Sequence, residues 1–386
     1  MASKYFMAGG VDSNWSTDGN WSTTASSGPA NTTKAVNGDA AILDAGSPAC
    51  VIDTASACTS INCTGYTGTL TFNATLTAAG TVTFAAGMTI AGTADLICTT
   101  TATLTSGGKT LTGGLQCLGT SQTFTLSGAL VVNGLLTLGS GATLSGSAIS
   151  VGGGLTIAAF SGPGTSVITL TGGTWSGAFR FRNSLTFAGN VTVSGIVYIE
   201  SATLTYTSGT ITTTGSRLVL GNNNATFNTG GMTWNVIDAS GVSRTYTLTS
   251  LLSANEIWLG AAGCTFAGTG GFTTGVLAAY VTGTANWTLV ANVTYTVTEA
   301  IVLLAAGDVV ATMKSGTPST KAILTVQAGA LQRVENVNVT DIDSSGGQAM
   351  YTLGTVTTST NWTTGTAPPP AATGAVLGAW ESGAWR

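Results

Sequence analysis

The sequence contains no histidine, and only 7% of its 386 residues are charged. Histidine is the side chain that most often carries protons at neutral pH, so histidine-based triads, acid–base catalysis and histidine metal sites are excluded. The net charge is −4 and basic residues do not cluster, which argues against a nucleic-acid partner. A pair of carboxylates, as glycosidases use, is the catalytic arrangement that these absences leave open.

Long apolar runs are also missing. One of the longest, Ala300–Ala306, is much shorter than the roughly 20 residues that a transmembrane helix needs, so no membrane partner is expected. The first residues, Met1–Gly10, lack the apolar segment of a secretory signal. We therefore expect that the chain is not exported by the secretory route.

Cysteine is scarce, and its spacing does not match a zinc site. The three early cysteines are too far apart for a zinc knuckle, and no histidine can complete a mixed site, so no metal or cofactor is expected. An even number would permit disulfides, but without a secretory signal we expect reduced thiols that fill the core. The six residues are Cys50, Cys58, Cys63, Cys98, Cys117 and Cys264.

Apolar residues recur about every 20 positions through the first half of the chain, in three staggered ladders. Their offsets of about 6 to 8 positions are typical of short strands separated by tight turns. A single period cannot bury its apolar side alone, so we expect successive periods to stack as the coils of a solenoid. The ladders read Leu70, Ile90, Leu111, Val131, Val151 and Leu170; Leu76, Leu96, Cys117, Leu138 and Ile157; and Phe84, Leu104, Phe124 and Leu144.

Threonine alternates with apolar residues around the ladder positions, as in Thr103-Leu104-Thr105. This period of two places apolar side chains on one face of a strand and β-branched threonines on the other. Glycine pairs such as Gly107-Gly108 separate the strands and permit the positive φ of a tight corner. The pattern predicts an all-β fold, a right-handed three-sided parallel β-solenoid, whose hand follows the general preference of parallel crossovers.

Four parts are predicted along the chain. Residues 1–60 form an N-terminal cap, and residues 61–230 form a regular solenoid with coils of about 20 residues. Residues 231–362 form a longer-coiled solenoid with its own terminal cap. Residues 363–386 form a proline-rich spacer and an extended apolar tethering peptide.

Asparagine–tryptophan pairs recur near both ends of the chain. A solenoid exposes half of a core and an open strand edge at each end, which a bulky aromatic side chain can cover. Trp15, Trp21 and Trp362 are therefore predicted to be capping residues. Platforms for stacking on sugars are the alternative.

The one close pair of acidic residues in the later coils is Asp341 and Asp343. In a strand, both carboxylates would leave the same face about 6 to 7 Å apart, a spacing that a glycosidase can use. The pair precedes the turn Ser344–Gly347, where aspartates commonly bind backbone amides, and this structural role is our prediction. The other acidic residues of the predicted coils from Glu200 onward stand apart in the sequence: Glu200, Asp238, Glu256, Glu299, Asp308 and Glu335.

Short motifs at both ends of the chain carry a resemblance to a known group of proteins. They are Lys4–Gly10, Ser13–Ser16, Gly19–Ser22, Gly38–Asp44, Ala311–Leu324, Val337–Asp343 and Ser345–Gly347. In these motifs the chain resembles β-helical virion structural proteins of tailed bacteriophages, of the head-decoration, head-fibre or tail-fibre type. The resemblance implies a structural or adhesive role in the virion, assembly in the host cytoplasm, and a homo-oligomer such as a trimer. It carries no catalytic residues.

The end of the chain has a different character. Three consecutive prolines, Pro368–Pro370, predict a stiff, extended spacer. The peptide beyond them is apolar and is unfavourable to leave in water. It is therefore predicted to dock in the groove of a partner protein, with folding back onto the last coil as the alternative. Its docking residues are Val376, Leu377, Trp380 and Trp385.

Together these features predict a non-enzymatic bacteriophage virion protein, a rigid decoration or fibre that binds other capsid or tail proteins and contacts glycans of the host surface. One alternative is a tailspike-like polysaccharide depolymerase that uses carboxylates, against which the scarcity of charge argues. The other is a bacterial surface adhesin, since similar patterns occur in those proteins. An export signal encoded by the native gene would favour the adhesin.

Overall fold

The computed structural model describes residues 2–157, 166–181, 184–199, 203–221, 224–240 and 244–367. These residues form an all-β structure in which parallel strands stack as a β-solenoid, and their helical content is one short 3-10 turn, Asp18–Asn20. The predicted fold class is confirmed; the three-sided cross-section, the hand and the caps stay predictions. The chain divides into two compact units, Met1–Met232 and Thr233–Arg386, which we call unit 1 and unit 2.

Unit 1 consists mainly of strands of three or four residues. Its strands are β1 (Ser3–Phe6), β2 (Trp21–Ser22), β3 (Ala40–Ile42), β4 (Cys50–Ile52), β5 (Ser56–Cys58), β6 (Ser60–Asn62), β7 (Thr69–Phe72), β8 (Leu76–Ala78), β9 (Val82–Thr83), β10 (Thr89–Gly92), β11 (Leu96–Cys98), β12 (Ala102–Thr105), β13 (Thr110–Leu111), β14 (Leu115–Cys117), β15 (Thr123–Ser127), β16 (Leu130–Val132), β17 (Leu136–Leu138), β18 (Thr143–Gly146), β19 (Ile149–Val151), β20 (Gly154–Ile157), β21 (Ile168–Ser176), β22 (Ala178–Phe181), β23 (Leu185–Val193), β24 (Ile196–Ile199), β25 (Thr203–Ser208), β26 (Ile211–Thr212), β27 (Arg217–Leu220) and β28 (Ala225–Asn228).

Strands of unit 1 pair with the equivalent strands of the next coil. One stack runs through β5, β8, β11, β14, β17 and β20. Another runs through β3, β6, β9, β12, β15 and β18, and a third continues through β13, β16, β19, β21, β23, β25 and β28. These pairs are parallel, whereas β1 and β2 pair antiparallel. Repeated pairing at equivalent positions is what the apolar ladders predicted.

The exact register differs from the ladders in the sequence. The ladder that placed Leu96 in line with Cys117 is wrong by two residues, because Leu96 pairs with Leu115 and Cys117 pairs with Cys98. Both rows face the interior, since residues two apart in a strand point to the same side. The approximate period of the sequence cannot distinguish these two rows.

The other two ladders also contain register errors, of two residues in one and of one residue in the other. Phe124 lies in register with Leu144 as predicted, but Leu104 pairs with Leu126. Val131 lies opposite Thr110 and is 38% exposed, so the buried ladder position belongs to its neighbour Val132. The deviation has a simple cause: successive coils differ by one or two residues in their turns, and the strands compensate.

Unit 2 has longer strands, up to 12 residues. They are β29 (Thr233–Ala239), β30 (Thr245–Leu248), β31 (Leu252–Leu259), β32 (Gly263–Gly268), β33 (Phe272–Val281), β34 (Asn286–Leu289), β35 (Thr294–Ala305), β36 (Ala311–Ser315), β37 (Ala322–Val326), β38 (Leu331–Glu335), β39 (Val337–Thr340), β40 (Ile342–Asp343), β41 (Met350–Thr352), β42 (Val356–Thr357) and β43 (Trp362–Thr364). One stack runs through β29, β31, β33 and β35, and β37 and β38 both pair with β35. A second stack runs through β30, β32, β34, β36, β39 and β42.

All six cysteines are buried and carry free thiols, which agrees with the prediction that they fill the core. Burial raises the pKa of Cys58, Cys98 and Cys264 to about 12, because an apolar interior disfavours the charged thiolate. Thiols of this kind are poor nucleophiles and poor metal ligands. They act as small apolar side chains.

Candidate interaction surface

The sheet formed by β31, β33, β35 and β38 is apolar on both of its sides. Leu277 of β33 lies in register with Ile257 of β31 and Ile301 of β35, and all three are buried in unit 2. Successive side chains of a strand alternate, so the residues flanking these three point to the opposite side of the sheet. This opposite side faces outward, where the regular coils of unit 1 carry many threonines.

We call this outward side the apolar face and define it by seven residues. Val276, Ala278, Ala300 and Val302 form a buried cluster, and Trp258, Leu304 and Leu331 are partly buried against it. The strand pairing explains the cluster. Val276, Ala300 and Leu331 lie in one row across the strands, and Trp258, Ala278 and Val302 lie in the adjacent row on the same side. Leu304 lies in the next row on that side. Tyr280 borders the face, in register with Leu304, and is 64% exposed.

Charged groups border the apolar face. The indole Nε1 of Trp258 donates a hydrogen bond of 2.9 Å to the carboxylate of Glu256, which orients the indole ring. On β38, Arg333 and Glu335 lie in register with members of the face, and Arg333 Nε is 2.9 Å from Glu335 Oε1. This ion pair is partly exposed and contributes little to stability. It places one charge of each sign at the edge of an apolar surface.

A shallow depression adjoins the same edge. Arg333 and Glu335 line it together with Tyr351 and with Gly365–Ala367, the last three described residues. The described part of the chain therefore ends beside the apolar face.

The predicted acidic pair does not share one face of a strand. Asp341 has a left-handed φ of 55° just before β40, so only Asp343 lies in the strand, and the expectation of two neighbouring carboxylates on a strand is wrong. Asp341 accepts hydrogen bonds from the hydroxyl of Thr358 at 2.5 Å and the amide of Ser319 at 3.0 Å. Asp343 accepts one from the amide of Ser345 at 2.9 Å, which confirms the structural role predicted for it.

These hydrogen bonds also decide the charge state of the two carboxyls. They hold the pKa of Asp341 and of Asp343 below the usual range, since they favour the ionised form. A glycosidase needs one carboxyl with a raised pKa to act as general acid. Neither member of this pair has that property. Glu200, an isolated acid, lies outside the described residues.

Trp15 and Trp21 form a buried pair in unit 1. Their ring centroids are 4.8 Å apart in an edge-to-face arrangement, and neither side chain is exposed. Trp21 Nε1 donates to the carbonyl of Trp15 at 2.9 Å, and Trp15 Nε1 donates to the carbonyl of Ala35 at 3.3 Å. Fully enclosed rings leave no face for a sugar, so the stacking alternative fails for both. Their role as a cap stays a prediction.

Asp12 organises the segment that carries these two tryptophans. Its carboxylate accepts hydrogen bonds from the amide of Asn14 at 2.8 Å, the hydroxyl of Thr17 at 3.0 Å and the side-chain amide of Asn20 at 2.6 Å. The two asparagines that precede tryptophan in the sequence thus meet at one carboxylate. This explains the first two Asn-Trp pairs as a local folding motif.

The remaining predicted positions lie near the end of the chain. Trp362 of β43 is 7% exposed, and its strand pairs with β41. Asn361, beside it, has a left-handed φ of 60° and donates to the carbonyls of Ser344 and Gln348 at 2.9 and 3.0 Å. The predicted docking residues Val376, Leu377, Trp380 and Trp385 lie outside the described residues.

Sequence reasoning missed the apolar face. The signal was present in the run Ala300–Ala306, where the alternation of apolar and polar residues is lost. A strand that is apolar on both sides is typical of a sheet that is covered on both sides. The length of the run excludes a membrane helix, and its lack of alternation separately indicates a strand with apolar side chains on both of its sides.

Within the described ranges, no three His, Cys, Asp or Glu side chains come together in a way that could hold a metal ion. No helix in that part of the chain is long and apolar enough to cross a membrane. The chain matches no protein-family model, no curated protein and no solved structure. The structure thus defines the class, a parallel β-solenoid protein, and no family narrows it further.

Proposed function

We propose that this chain is a non-enzymatic structural protein of a bacteriophage particle, a β-solenoid decoration or fibre attached to the capsid or the tail. The observation that supports the proposal is the construction of the coils, short parallel strands stacked around an apolar interior. Such stacking gives a stiff body with a large surface for protein contacts, and it needs no reactive group. The proposal includes association with other virion proteins, assembly into a homo-oligomer such as a trimer, and contact with glycans of the host surface.

Two further observations agree with this proposal. Free, buried cysteines fit a protein that assembles in the reducing cytoplasm of an infected cell. The lowered pKa values of Asp341 and Asp343 weigh against the depolymerase alternative, because both carboxyls are committed to structural hydrogen bonds.

Location in the particle is the direct test. Antibodies against the purified chain should label intact phage particles in electron micrographs at the capsid or the tail, and particles from a deletion mutant of the gene should not be labelled. Purified particles that lack the chain, together with labelling of the bacterial surface, would overturn the proposal in favour of the adhesin.

A second assay addresses catalysis. The purified chain is incubated with capsular polysaccharide and with lipopolysaccharide from the host, and new reducing ends are measured. We expect no release above the level of a heat-denatured sample. Release of oligosaccharides that Asp341→Asn or Asp343→Asn abolishes would establish the depolymerase instead.

A further inference from the structure

The depression at the edge of β38 combines three kinds of side chain. Arg333 and Glu335 supply an ion pair, Tyr351 supplies an aromatic ring, and Leu353 adds an apolar side chain that is 50% exposed. The side chains of Arg333 and Glu335 are 42% and 41% exposed, and Tyr351 is half-buried, so each of them can be reached from solvent. Concave sites with a few polar groups on an apolar wall are where small ligands bind most readily.

Hydrogen bonds between β38 and β41 hold the walls of the depression. Gln332 Nε2 donates to the carbonyl of Ala349 at 2.7 Å, and Gln332 Oε1 accepts from the amide of Tyr351 at 3.3 Å. The amide of Leu353 donates to the carbonyl of Val334 at 3.2 Å. These bonds fix the backbone from which the side chains of the depression extend. A preformed site of this kind loses little conformational entropy when a ligand binds.

The ion pair restricts the chemistry of the ligand. A guanidinium only donates hydrogen bonds, and a carboxylate only accepts them, whereas a hydroxyl group does both. Two neighbouring hydroxyls can therefore bridge the pair, one accepting from Arg333 and the other donating to Glu335. An anion is repelled by Glu335 and a cation by Arg333, because like charges repel. A neutral ligand with several hydroxyl groups satisfies both members of the pair.

Tyr351 and Leu353 complement the other half of such a ligand. A sugar ring carries hydroxyl groups at its edge and C–H groups on its faces. The face of an aromatic ring is negatively polarised and attracts these C–H groups, and a leucine side chain extends the apolar wall. The depression thus offers an apolar surface and a donor–acceptor pair side by side. Because it is shallow, it suits a single sugar residue of a glycan better than an enclosed small molecule.

We propose that the depression formed by Gln332, Arg333, Glu335, Tyr351 and Leu353 binds a neutral sugar residue of a glycan. The ring of the sugar stacks on Tyr351, and its hydroxyls bind Arg333 and Glu335. This inference rests on the proposed function, which includes contact with host glycans, and it names the site of that contact. One shallow site binds weakly, with a Kd on the order of millimolar. Several copies in one oligomer bind a repeating polysaccharide far more tightly.

Saturation-transfer difference NMR on the full chain tests for sugar binding. The probes are the methyl glycosides of glucose, galactose, mannose and N-acetylglucosamine, and ethyl phosphate and ethylammonium are the charged probes. We expect saturation of at least one glycoside, strongest at the C–H protons of one ring face, and none of either charged probe at the same concentration. Absence of saturation for every glycoside, with or without binding of a charged probe, would overturn the proposal.

Variants locate the site. Tyr351→Ala should weaken binding of the glycoside about tenfold, because it removes the stacking surface. Glu335→Gln replaces one acceptor oxygen with a donor at a partly exposed position, so it tests the site even if Tyr351→Ala destabilises β41, and it should weaken binding several-fold. Tyr280→Ala is the matched control, since Tyr280 is an exposed tyrosine of unit 2 outside the depression, and it should leave binding unchanged. Equal binding in all three variants, or an equal loss in Tyr280→Ala and Tyr351→Ala, would overturn the assignment of the site.

Competition connects the site to the host and separates its outcome from that of the proposed function. Capsular polysaccharide or lipopolysaccharide from the host should displace the bound glycoside, and the one that does so carries the sugar. Displacement by neither would overturn the role of the depression in host contact. Glycoside binding that Tyr351→Ala abolishes supports the site whether or not antibodies label phage particles. Labelled particles without glycoside binding would leave the virion role standing and reject the site.

Discussion

The ammonium of Lys4 lies 2.9 Å from the carboxylate of Asp39, and the two side chains are only 8% and 14% exposed. The same ammonium donates to the carbonyls of Thr33 and Lys34 at 3.1 and 3.0 Å. Lys4 belongs to β1, and Asp39 immediately precedes β3, its parallel neighbour. The ion pair therefore holds the first strand of the chain onto the stack.

Lys4→Met should destabilise unit 1 by about 3 kcal/mol, because it leaves the nearly buried Asp39 charge without its partner. The free energy of unfolding, measured by urea denaturation, is the readout. Lys314→Met, at an exposed lysine, is the control and should change it by less than about 0.5 kcal/mol. The double variant Lys4→Met with Asp39→Asn should regain part of the loss; an equal loss in single and double variants would contradict the ion-pair explanation.

Acid should weaken the N-terminal segment. Burial raises the pKa of Asp39 and Asp53, but hydrogen bonds from Lys4 and Ser16 outweigh it and leave both values below the usual range. A carboxyl whose pKa is lower in the folded than in the unfolded chain stabilises the fold at pH values above its unfolded pKa of about 3.9. This stabilisation is lost as the pH falls through the pKa of the folded state.

The urea midpoint should therefore be steady down to about pH 5 and decrease below about pH 4. Asp53→Asn should lower the midpoint at pH 7 and make the decrease in acid shallower, since one of the titrating groups is gone. A midpoint that stays constant to pH 3 in the unmodified chain would contradict the assignment.

Two neighbouring leucines test the register of the coils. Leu136 is fully buried, in register with Leu115 and Leu155, whereas Leu135 is 41% exposed. Leu136→Ala should cost about 2 to 5 kcal/mol of unfolding free energy through lost burial and a cavity. Leu135→Ala should cost less than about 0.5 kcal/mol. If the two costs were reversed, the strand would be shifted by one residue.

A close backbone approach makes Gly153 sensitive to a methyl group. A Cβ there would lie 2.4 Å from the carbonyl carbon of Gly134 in the preceding coil, far inside van der Waals contact. Gly153→Ala should lower the thermal midpoint by several degrees, as overpacking costs about 1 to 3 kcal/mol. Gly283→Ala, where nothing lies within 4 Å of the added methyl, should leave the midpoint nearly unchanged. Equal shifts would show that backbone flexibility, and not contact, limits both sites.

The period of the ladders was sufficient to predict the solenoid but not its register. Leu96 and Cys98 are both apolar and both inward, so either could align with Cys117 at a spacing near 20. The structure selects Cys98. The choice depends on how many residues each turn uses, and turn length has no signal in the apolar pattern itself.

The candidate site residues also divide into those that local sequence could predict and those that it could not. The role of Asp343 followed from the turn after it, a local effect that a short stretch of sequence contains. The conformation of Asp341 did not, because its partners Ser319 and Thr358 belong to neighbouring coils. The apolar face also required the structure, since it combines side chains from four strands, and the paired residues of neighbouring strands are 20 or more residues apart in the sequence.

The sequence by itself determined that this chain stacks short parallel strands in repeated coils. That information is local, because alternation of threonine with apolar residues defines a strand, and glycine at regular intervals defines its turns. Only the tertiary structure decided which rows pair and which side of β31, β33, β35 and β38 presents an outward apolar cluster. Both depend on the position of one coil relative to the next, and that position is fixed by packing between residues far apart in the sequence.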